Sequence, residues 1–185
     1  GFAFGVAPRY YDYQFLTDSK LGEHRVRTFI LGSNDALEFL LKKPPAGAAE
    51  LRGNFINEVY FYRGYLDWQW RLTDDITHRF STAVGQNAGR LEFGPDIFAN
   101  NEVLVVTVRD EVSAQLSKNS LLRVGLDYEG LYGTLNIRLP LPPKEGGARG
   151  GGRSYSTLDF LEVKRDFVLE NPAIWTELQL KLLDE

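Results

Sequence analysis

Residues 67–72 of the chain read DWQWRL, and their strict alternation determines which fold we expect. In an extended strand Trp68 and Trp70 point to one side, while the polar residues between them point to the other. Leu66 and Leu72 extend the apolar side. A face built from two tryptophans and two leucines needs a cover, and the candidates are a protein core, a lipid bilayer, a partner subunit and a sugar ring.

The same period of two recurs elsewhere in the chain. Residues 121–130 (LLRVGLDYEG), 131–141 (LYGTLNIRLPL) and 174–182 all alternate between apolar and polar side chains. Residues 58–72 (EVYFYRGYLDWQWRL) are rich in aromatic and β-branched residues, which strands favour. These patterns predict a chain built from β-strands.

Clusters of glycine, proline, asparagine and aspartate separate the alternating segments and predict turns. They recur at roughly ten-residue intervals, which is typical of an all-β sandwich or barrel. We therefore predict an all-β fold, an antiparallel β-sandwich of jelly-roll type with a Gly-rich loop before the last strands. The predicted turns are Gly32–Asp35, Pro44–Gly47, Thr73–Asp75, Gly85–Gly89, Gly94–Asp96 and Asn100–Asn101.

One break in composition divides the chain. Residues 142–153 read PPKEGGARGGGR, in which proline stiffens the chain and glycine disfavours regular structure. We predict a β-sandwich domain over residues 1–143 and a Gly-rich loop or linker over 144–153. Residues 154–185 are then C-terminal strands that pack on the same domain or on a neighbouring subunit.

The composition excludes several classes of function. Lys plus Arg is 21 against 25 for Asp plus Glu, a net charge of -4, which argues against a general nucleic-acid binder. The sequence has no cysteine, so disulfides, thiolate catalysis and Cys-ligated zinc are excluded. We predict no specific nucleic-acid partner.

No catalytic or metal-binding constellation stands out. His24 and His78 lack a metal-like partner at short spacing, and we interpret both as surface or loop residues. Residues 146–153 (GGARGGGR) lack the Lys-Ser/Thr end of a phosphate loop. Asp67 and the turn residues Asp74–Asp75 do not form a recognisable carboxylate pair. We predict that the protein is not an enzyme and uses no metal or cofactor.

The aromatic residues are the remaining candidates for a site. In an all-β chain most of them are expected in the core, with a subunit interface and a carbohydrate site as the alternatives. Four of them are predicted as possible interface anchors: Tyr65, Trp68, Trp70 and Trp175. The wider aromatic groups are Tyr10, Tyr11, Tyr13 and Phe15 near the start, and Tyr60, Phe61 and Tyr62 in the middle.

A transmembrane β-barrel is the main alternative to the sandwich. Its strands alternate apolar-out and polar-in, and outward tryptophans such as Trp68 and Trp70 suit an aromatic girdle. Two features argue against it. Residues 103–108 form an apolar run on both faces, which suits a strand covered by another layer. The sequence also ends LKLLDE, without a terminal aromatic residue.

Residues 91–111 (LEFGPDIFANNEVLVVTVRDE), followed by 121–130, resemble paired strands of jelly-roll and related β-sandwich structural proteins of viruses. The resemblance rests on a turn with Pro95 and Asn100–Asn101, the apolar strand Val103–Val108, and Tyr128–Glu129. It implies a capsid or spike component of a bacteriophage-like particle. The Gly-rich segment and the last strand then link subunits.

The expected function is that of a non-enzymatic structural protein that assembles into a larger particle, a virion. Its partners are copies of itself and other structural proteins of the assembly, and membrane contact is left open. The alternative is an outer-membrane β-barrel protein. A carbohydrate-binding β-sandwich is third, and requires Trp68 or residues 10–13 on a solvent-facing sheet.

Overall fold

The computed structural model describes residues 4–41, 53–141 and 159–182, and these residues form seven β-strands and no helix. None of them therefore belongs to a helix long and apolar enough to cross a membrane. The strands run over 18 to 21 residues each, which is about 60 Å or more at the usual rise. They are β1 (Phe4–Leu21), β2 (His24–Leu41), β3 (Gly53–Arg71), β4 (Ile76–Phe93), β5 (Ile97–Ser117), β6 (Ser120–Pro140) and β7 (Phe160–Leu180).

The strands form one open antiparallel sheet in the order β1-β2-β3-β4-β5-β6-β7. Each strand pairs with its neighbours in sequence along nearly its whole length, with one irregularity between Gln115 and Ser117. Because directions alternate, β1 and β7 run parallel to each other and form the two edges of the sheet.

The connections at the two ends of the sheet differ in length. At one end they are Gly22–Glu23, residues 72–75 and residues 118–119. Gly22 turns the chain at a φ of 62°, where a residue with a Cβ is strained. Thr73 Oγ1 closes the next turn by accepting the N–H groups of Asp75 and Ile76 at 3.2 and 3.0 Å. At the other end residues 94–96 make a short turn, and residues 42–52 and 141–159 make two longer connections.

The sheet buries little of itself. Among the apolar residues described, Ala88 alone is buried, and large apolar side chains are exposed on every strand. Among the residues that the structure describes, no second layer covers either face of the sheet. The expectation that most of the aromatic residues fill a core is therefore wrong for this sheet.

The all-β prediction is confirmed, while the sandwich and jelly-roll features are not confirmed, since the described strands belong to a single sheet. The Gly-rich loop over 144–153 lies outside the described residues. Of the predicted C-terminal strands over 154–185, residues 160–180 form β7, which pairs with β6 of the same sheet.

Three predicted turns are wrong, because Gly32–Asp35 lies inside β2, Gly85–Gly89 inside β4 and Asn100–Asn101 inside β5. Gly32 and Gly85 do not bend the chain, but leave room for atoms of the neighbouring strands. A Cβ at Gly32 would overlap the ring of Tyr13, and one at Gly85 would overlap the Tyr62 carbonyl oxygen. The turns at Thr73–Asp75 and Gly94–Asp96 are confirmed.

Candidate functional site: the two faces of the sheet

The alternation of residues 67–72 is confirmed, since all but Leu72 lie in β3 and successive residues of a strand point to opposite faces. We call the face that carries Trp68 and Trp70 the Trp68 face, and the other the Asp67 face. The register extends both faces across all seven strands, because residues directly opposite share a face.

An apolar band covers the Trp68 face next to the short turns. Its members come from every strand, and many are exposed. The band includes Phe15, Leu21, Val26, Ile30, Leu66, Phe80, Val84, Val106, Val108, Val112, Val124, Leu126 and Ile174. From Trp70 to Tyr60 it extends about 33 Å along the strand direction.

A cluster of aromatic rings marks the limit of the band beside the short turns. The rings of Trp68 and Trp70 stack with centroids 6.2 Å apart, and His24 lies 5.3 Å from Trp70. Trp68 Nε1 donates to His24 Nδ1 at 3.2 Å, and His78 Nε2 lies 2.5 Å from Asp110 Oδ1. Both histidines lie in strands and are partly buried, so they are not loop residues.

Tyrosines mark the opposite limit of the band. The hydroxyls of Tyr128 and Tyr132 lie 2.5 Å apart, and both donate to Glu170 Oε1, at 3.0 and 2.8 Å. These two hydrogen bonds pair the Glu170 carboxylate, which otherwise lies among apolar side chains. The other tyrosines near this limit are Tyr11, Tyr13, Tyr60 and Tyr62.

Beyond the tyrosines the Trp68 face becomes charged. Arg9 donates to Glu58 at 3.0 Å, and Arg90 Nε donates to Glu92 at 2.6 Å. On the reverse side at this height, the rings of Phe39, Phe55 and Phe93 pack in a row, with centroids 5.6 and 4.6 Å apart. The polarity of the two faces therefore exchanges along the strands.

The Asp67 face carries a charged belt directly behind the apolar band. Its ion pairs join side chains of neighbouring strands. The pairs are Arg25–Asp18 at 2.7 Å, Arg27–Asp18 at 3.1 Å, Arg79–Asp67 at 2.7 Å, Arg109–Asp127 at 2.7 Å and Arg123–Glu177 at 2.9 Å. In the adjoining turn, the hydrogen bond from Arg71 lowers the pKa of the Glu23 carboxyl.

Asp67 is the buried member of the charged belt, 5% exposed, and accepts Arg79 Nε at 2.7 Å and Tyr65 Oη at 3.0 Å. We expect Asp67→Ala to lower the free energy of unfolding by about 2 kcal/mol, because the donors of Arg79 and Tyr65 both lose their acceptor. Asp67→Asn keeps an acceptor and is expected to cost less. Urea unfolding measures both, with Asp18→Ala as the exposed-pair control. Equal midpoints for Asp67→Ala and Asp18→Ala would contradict this role for Asp67.

The four predicted anchors separate onto the two faces. Trp68 and Trp70 stack together in the apolar band. Tyr65 and Trp175 lie on the Asp67 face, where Tyr65 binds Asp67 and the Arg109 guanidinium lies 5.7 Å from the Trp175 ring centroid. The sequence analysis did not identify the charged belt, although charged residues alternate with apolar ones around Arg25 and Arg27 in β2, Asp67 in β3 and Arg79 in β4.

Among the residues that the structure describes, no group of three or more His, Asp or Glu side chains is placed to hold a metal ion. Asp74 and Asp75 lie in the turn after β3, beyond its last residue, Arg71, whereas Asp67 lies inside the strand. The candidate site is therefore a surface, made of the apolar band with its aromatic limits and the charged belt behind it.

Comparison of the chain with protein-family models, with curated proteins and with solved structures gives no match.

Proposed function

We propose that this sheet forms part of the wall of a β-barrel that crosses an outer membrane, with its Trp68 face against lipid. The observation that carries the proposal is the apolar band, which lies on one face and is bordered by aromatic residues at both of its ends along the strand direction. Its extent of about 33 Å along the strands corresponds to roughly 25 Å of height at a strand tilt of about 40°. Outward apolar bands of that height, flanked by aromatic girdles, are typical of such barrels.

The reverse face supports the same assignment. A barrel interior is polar, and the charged belt lies behind the apolar band rather than beside it. A charged side chain that faces lipid without a partner is costly. The two acidic residues on the Trp68 face at this height have partners: Asp110 pairs with His78, and Glu170 accepts hydrogen bonds from Tyr128 and Tyr132.

The connections and strand lengths also fit. Outer-membrane barrels have short turns at one end and longer loops at the other. In this sheet all three connections at one end are short, and two of the three at the other end are longer. About 9 to 11 residues suffice for a tilted strand to cross the bilayer. The remaining residues of each strand extend past the tyrosines, where Arg9, Glu58 and Arg90 occupy the outer face and water replaces lipid.

Refolding the purified chain into phosphatidylcholine and phosphatidylglycerol vesicles tests the proposal. We expect the protein to float with the vesicles in a density gradient, to resist extraction by urea, and to show the circular dichroism of a β-sheet. A detergent-free oligomer that stays at the bottom of the gradient would contradict the membrane assignment.

The second candidate is a structural protein of a virion that assembles through its sheet. The open edges of β1 and β7 favour it, because unpaired strand edges associate readily. In that account a second sheet, as in a sandwich or jelly roll, covers the Trp68 face. A soluble assembly in the flotation experiment would support this candidate.

A further inference from the structure

Strands β3 to β6 present four carboxylates on the Asp67 face, and one of them differs from the other three. Asp67, Glu111 and Asp127 each have an arginine partner, at 2.7, 3.9 and 2.7 Å. Glu129 is exposed and forms no hydrogen bond or ion pair with the residues that the structure describes. It lies on β6, which pairs with a strand on either side, so this feature does not depend on an edge of the sheet.

The arginine on the neighbouring strand is directed away from Glu129. Arg109 lies diagonally across from Glu129 on β5, and it donates to both carboxylate oxygens of Asp127, each at 2.7 Å. Its guanidinium also lies 5.7 Å from the ring centroid of Trp175. Asp127 and Trp175 are both nearer to the short turns than Glu129 is, so Arg109 is held on that side and leaves the Glu129 carboxylate unmatched.

Glu129 lies in a row of three oxygen acceptors. Thr107 is directly opposite Glu129 across β5 and β6, and Glu129 is directly opposite Asn171 across β6 and β7. Side chains paired in this way share a face, with Cβ atoms about 5 Å apart. The Thr107 hydroxyl and the Asn171 amide also lack a hydrogen-bonding partner among the described residues. The row therefore offers a hydroxyl, a carboxylate and an amide oxygen to one bound group.

The row borders an open depression of about 430 Å³ on the Asp67 face, which we call the Glu129 depression. Two of its lining residues, Ser81 and Ala173, have small side chains that leave space above the strands. Tyr65 also lines it, and a hydrogen bond to Asp67 at 3.0 Å fixes its hydroxyl. Sites for small molecules measure about 300–1,000 Å³, whereas one water molecule takes about 30 Å³ in the liquid. The depression therefore has the size of a site for a small molecule.

The chemistry of the row determines the class of that molecule. A primary ammonium has three N–H donors and no acceptor, which matches a row of three acceptors that carries one negative charge. A divalent metal ion is a poorer match, because hard cations take six or more oxygen ligands. Within the described ranges no group of three or more His, Asp or Glu side chains is placed to hold a metal ion.

We propose that the Glu129 depression binds a small organic cation through its primary ammonium group. The ammonium pairs with Glu129 and donates hydrogen bonds to Thr107 and Asn171. The body of the cation lies over the small side chains of Ser81 and Ala173. The inference rests on the proposed function only in placing this site in the water-filled interior of the barrel.

The probe is n-butylammonium, and saturation-transfer NMR measures its binding to the full chain in a non-ionic detergent, with protein-free micelles as the blank. Two compounds of similar shape are the controls. n-Butanol lacks the charge, and n-butyltrimethylammonium keeps the charge but lacks the N–H donors. We expect both to bind about tenfold more weakly than n-butylammonium, because each loses charge-assisted hydrogen bonds to the row.

Glu129→Gln keeps the size of the side chain and removes its charge, and we expect it to weaken n-butylammonium binding about tenfold. Glu111→Gln is the matched control, because it removes one negative charge from the same face but outside the Glu129 depression, and it should leave binding unchanged. Thr107→Val keeps the shape and removes the hydroxyl, and should weaken binding about threefold. Circular dichroism verifies that each variant keeps its β-sheet.

Four results would overturn the proposal: no binding above the micelle blank, equal binding of n-butylammonium and either control compound, equal losses in Glu129→Gln and Glu111→Gln, or undiminished binding by Thr107→Val. Equal losses in the two glutamine variants would mean that the cation responds to the overall charge of the face. Vesicle flotation separates this proposal from the membrane assignment. Flotation without n-butylammonium binding overturns only the site, and binding without flotation overturns only the membrane wall.

Discussion

Val84→Arg is expected to destabilise the protein in lipid vesicles by about 2–4 kcal/mol and to reduce the fraction that inserts, since arginine near the bilayer midplane carries that cost. Val84 lies in β4 on the Trp68 face, between Gly64 and Val106, in the middle of the apolar band. It is 46% exposed, so an arginine has space to extend outward. The cost therefore arises from the surroundings of the sheet and not from packing within it.

The control for Val84→Arg is Thr107→Arg on the neighbouring strand. Thr107 lies on the Asp67 face opposite Glu129, where a new arginine meets a carboxylate. We expect its stability to stay within about 0.5 kcal/mol of the original chain. Urea unfolding in vesicles measures both variants. If Val84→Arg inserts and unfolds like Thr107→Arg, the Trp68 face does not meet lipid.

Gly85→Ala is expected to be the most damaging methyl group that can be added to the sheet. A Cβ at Gly85 overlaps the backbone carbonyl oxygen of Tyr62 and the stem of Arg63. A carbonyl held in a strand ladder cannot rotate away, so β3 and β4 must separate locally. Overpacking of this kind costs about 1–3 kcal/mol, with the upper end expected here because the obstacle is backbone.

The matched control is Gly64→Ala on the adjacent strand. Its nearest heavy atom is the Val84 carbonyl oxygen at 3.9 Å, an ordinary contact. That substitution is expected to be neutral or to stabilise by a few tenths of a kcal/mol, because alanine restricts the unfolded chain more than glycine. Similar unfolding midpoints for the two alanine variants would mean that the close approach at Gly85 does not exist.

The sequence predicted the strands better than it predicted what separates them. Alternation in residues 67–72 and 121–141 identified strands whose faces the structure reproduces. The turn predictions at Gly32 and Gly85 failed, because glycine in a strand that receives a neighbour's ring or carbonyl looks the same in sequence as glycine in a turn. Only the pairing partner, here Tyr13 or Tyr62, distinguishes the two.

The exchange of polarity between the faces also required the structure. Within the single strand β6, the apolar residues are even-numbered around Leu122 and Leu126 and odd-numbered around Leu135 and Ile137. In sequence this looks like two strands. In the sheet it is one continuous strand whose Trp68 face changes from the apolar band to the charged region. The apolar run Val103–Val108, which suggested a covered strand, lies where apolar residues occupy both faces.

The candidate site could be anticipated only in part. All four residues were predicted as possible interface anchors, and the structure places Trp68 and Trp70 on one face and Tyr65 and Trp175 on the other. The charged belt depends on cross-strand pairs such as Arg79–Asp67 and Arg109–Asp127, whose partners are 12 and 18 residues apart in sequence. Such pairs follow from the register, which alternation within one strand does not determine.

The distribution of the three tryptophans allows one measurement to test the central claim, that the Trp68 face meets lipid. Trp175→Phe leaves only Trp68 and Trp70, and the double variant Trp68→Phe with Trp70→Phe leaves only Trp175. Both are refolded into vesicles that contain brominated phosphatidylcholine, and tryptophan fluorescence is compared with that in unbrominated vesicles. We predict strong quenching of the first variant and little quenching of the second. Equal quenching, or stronger quenching of Trp175, would contradict the account.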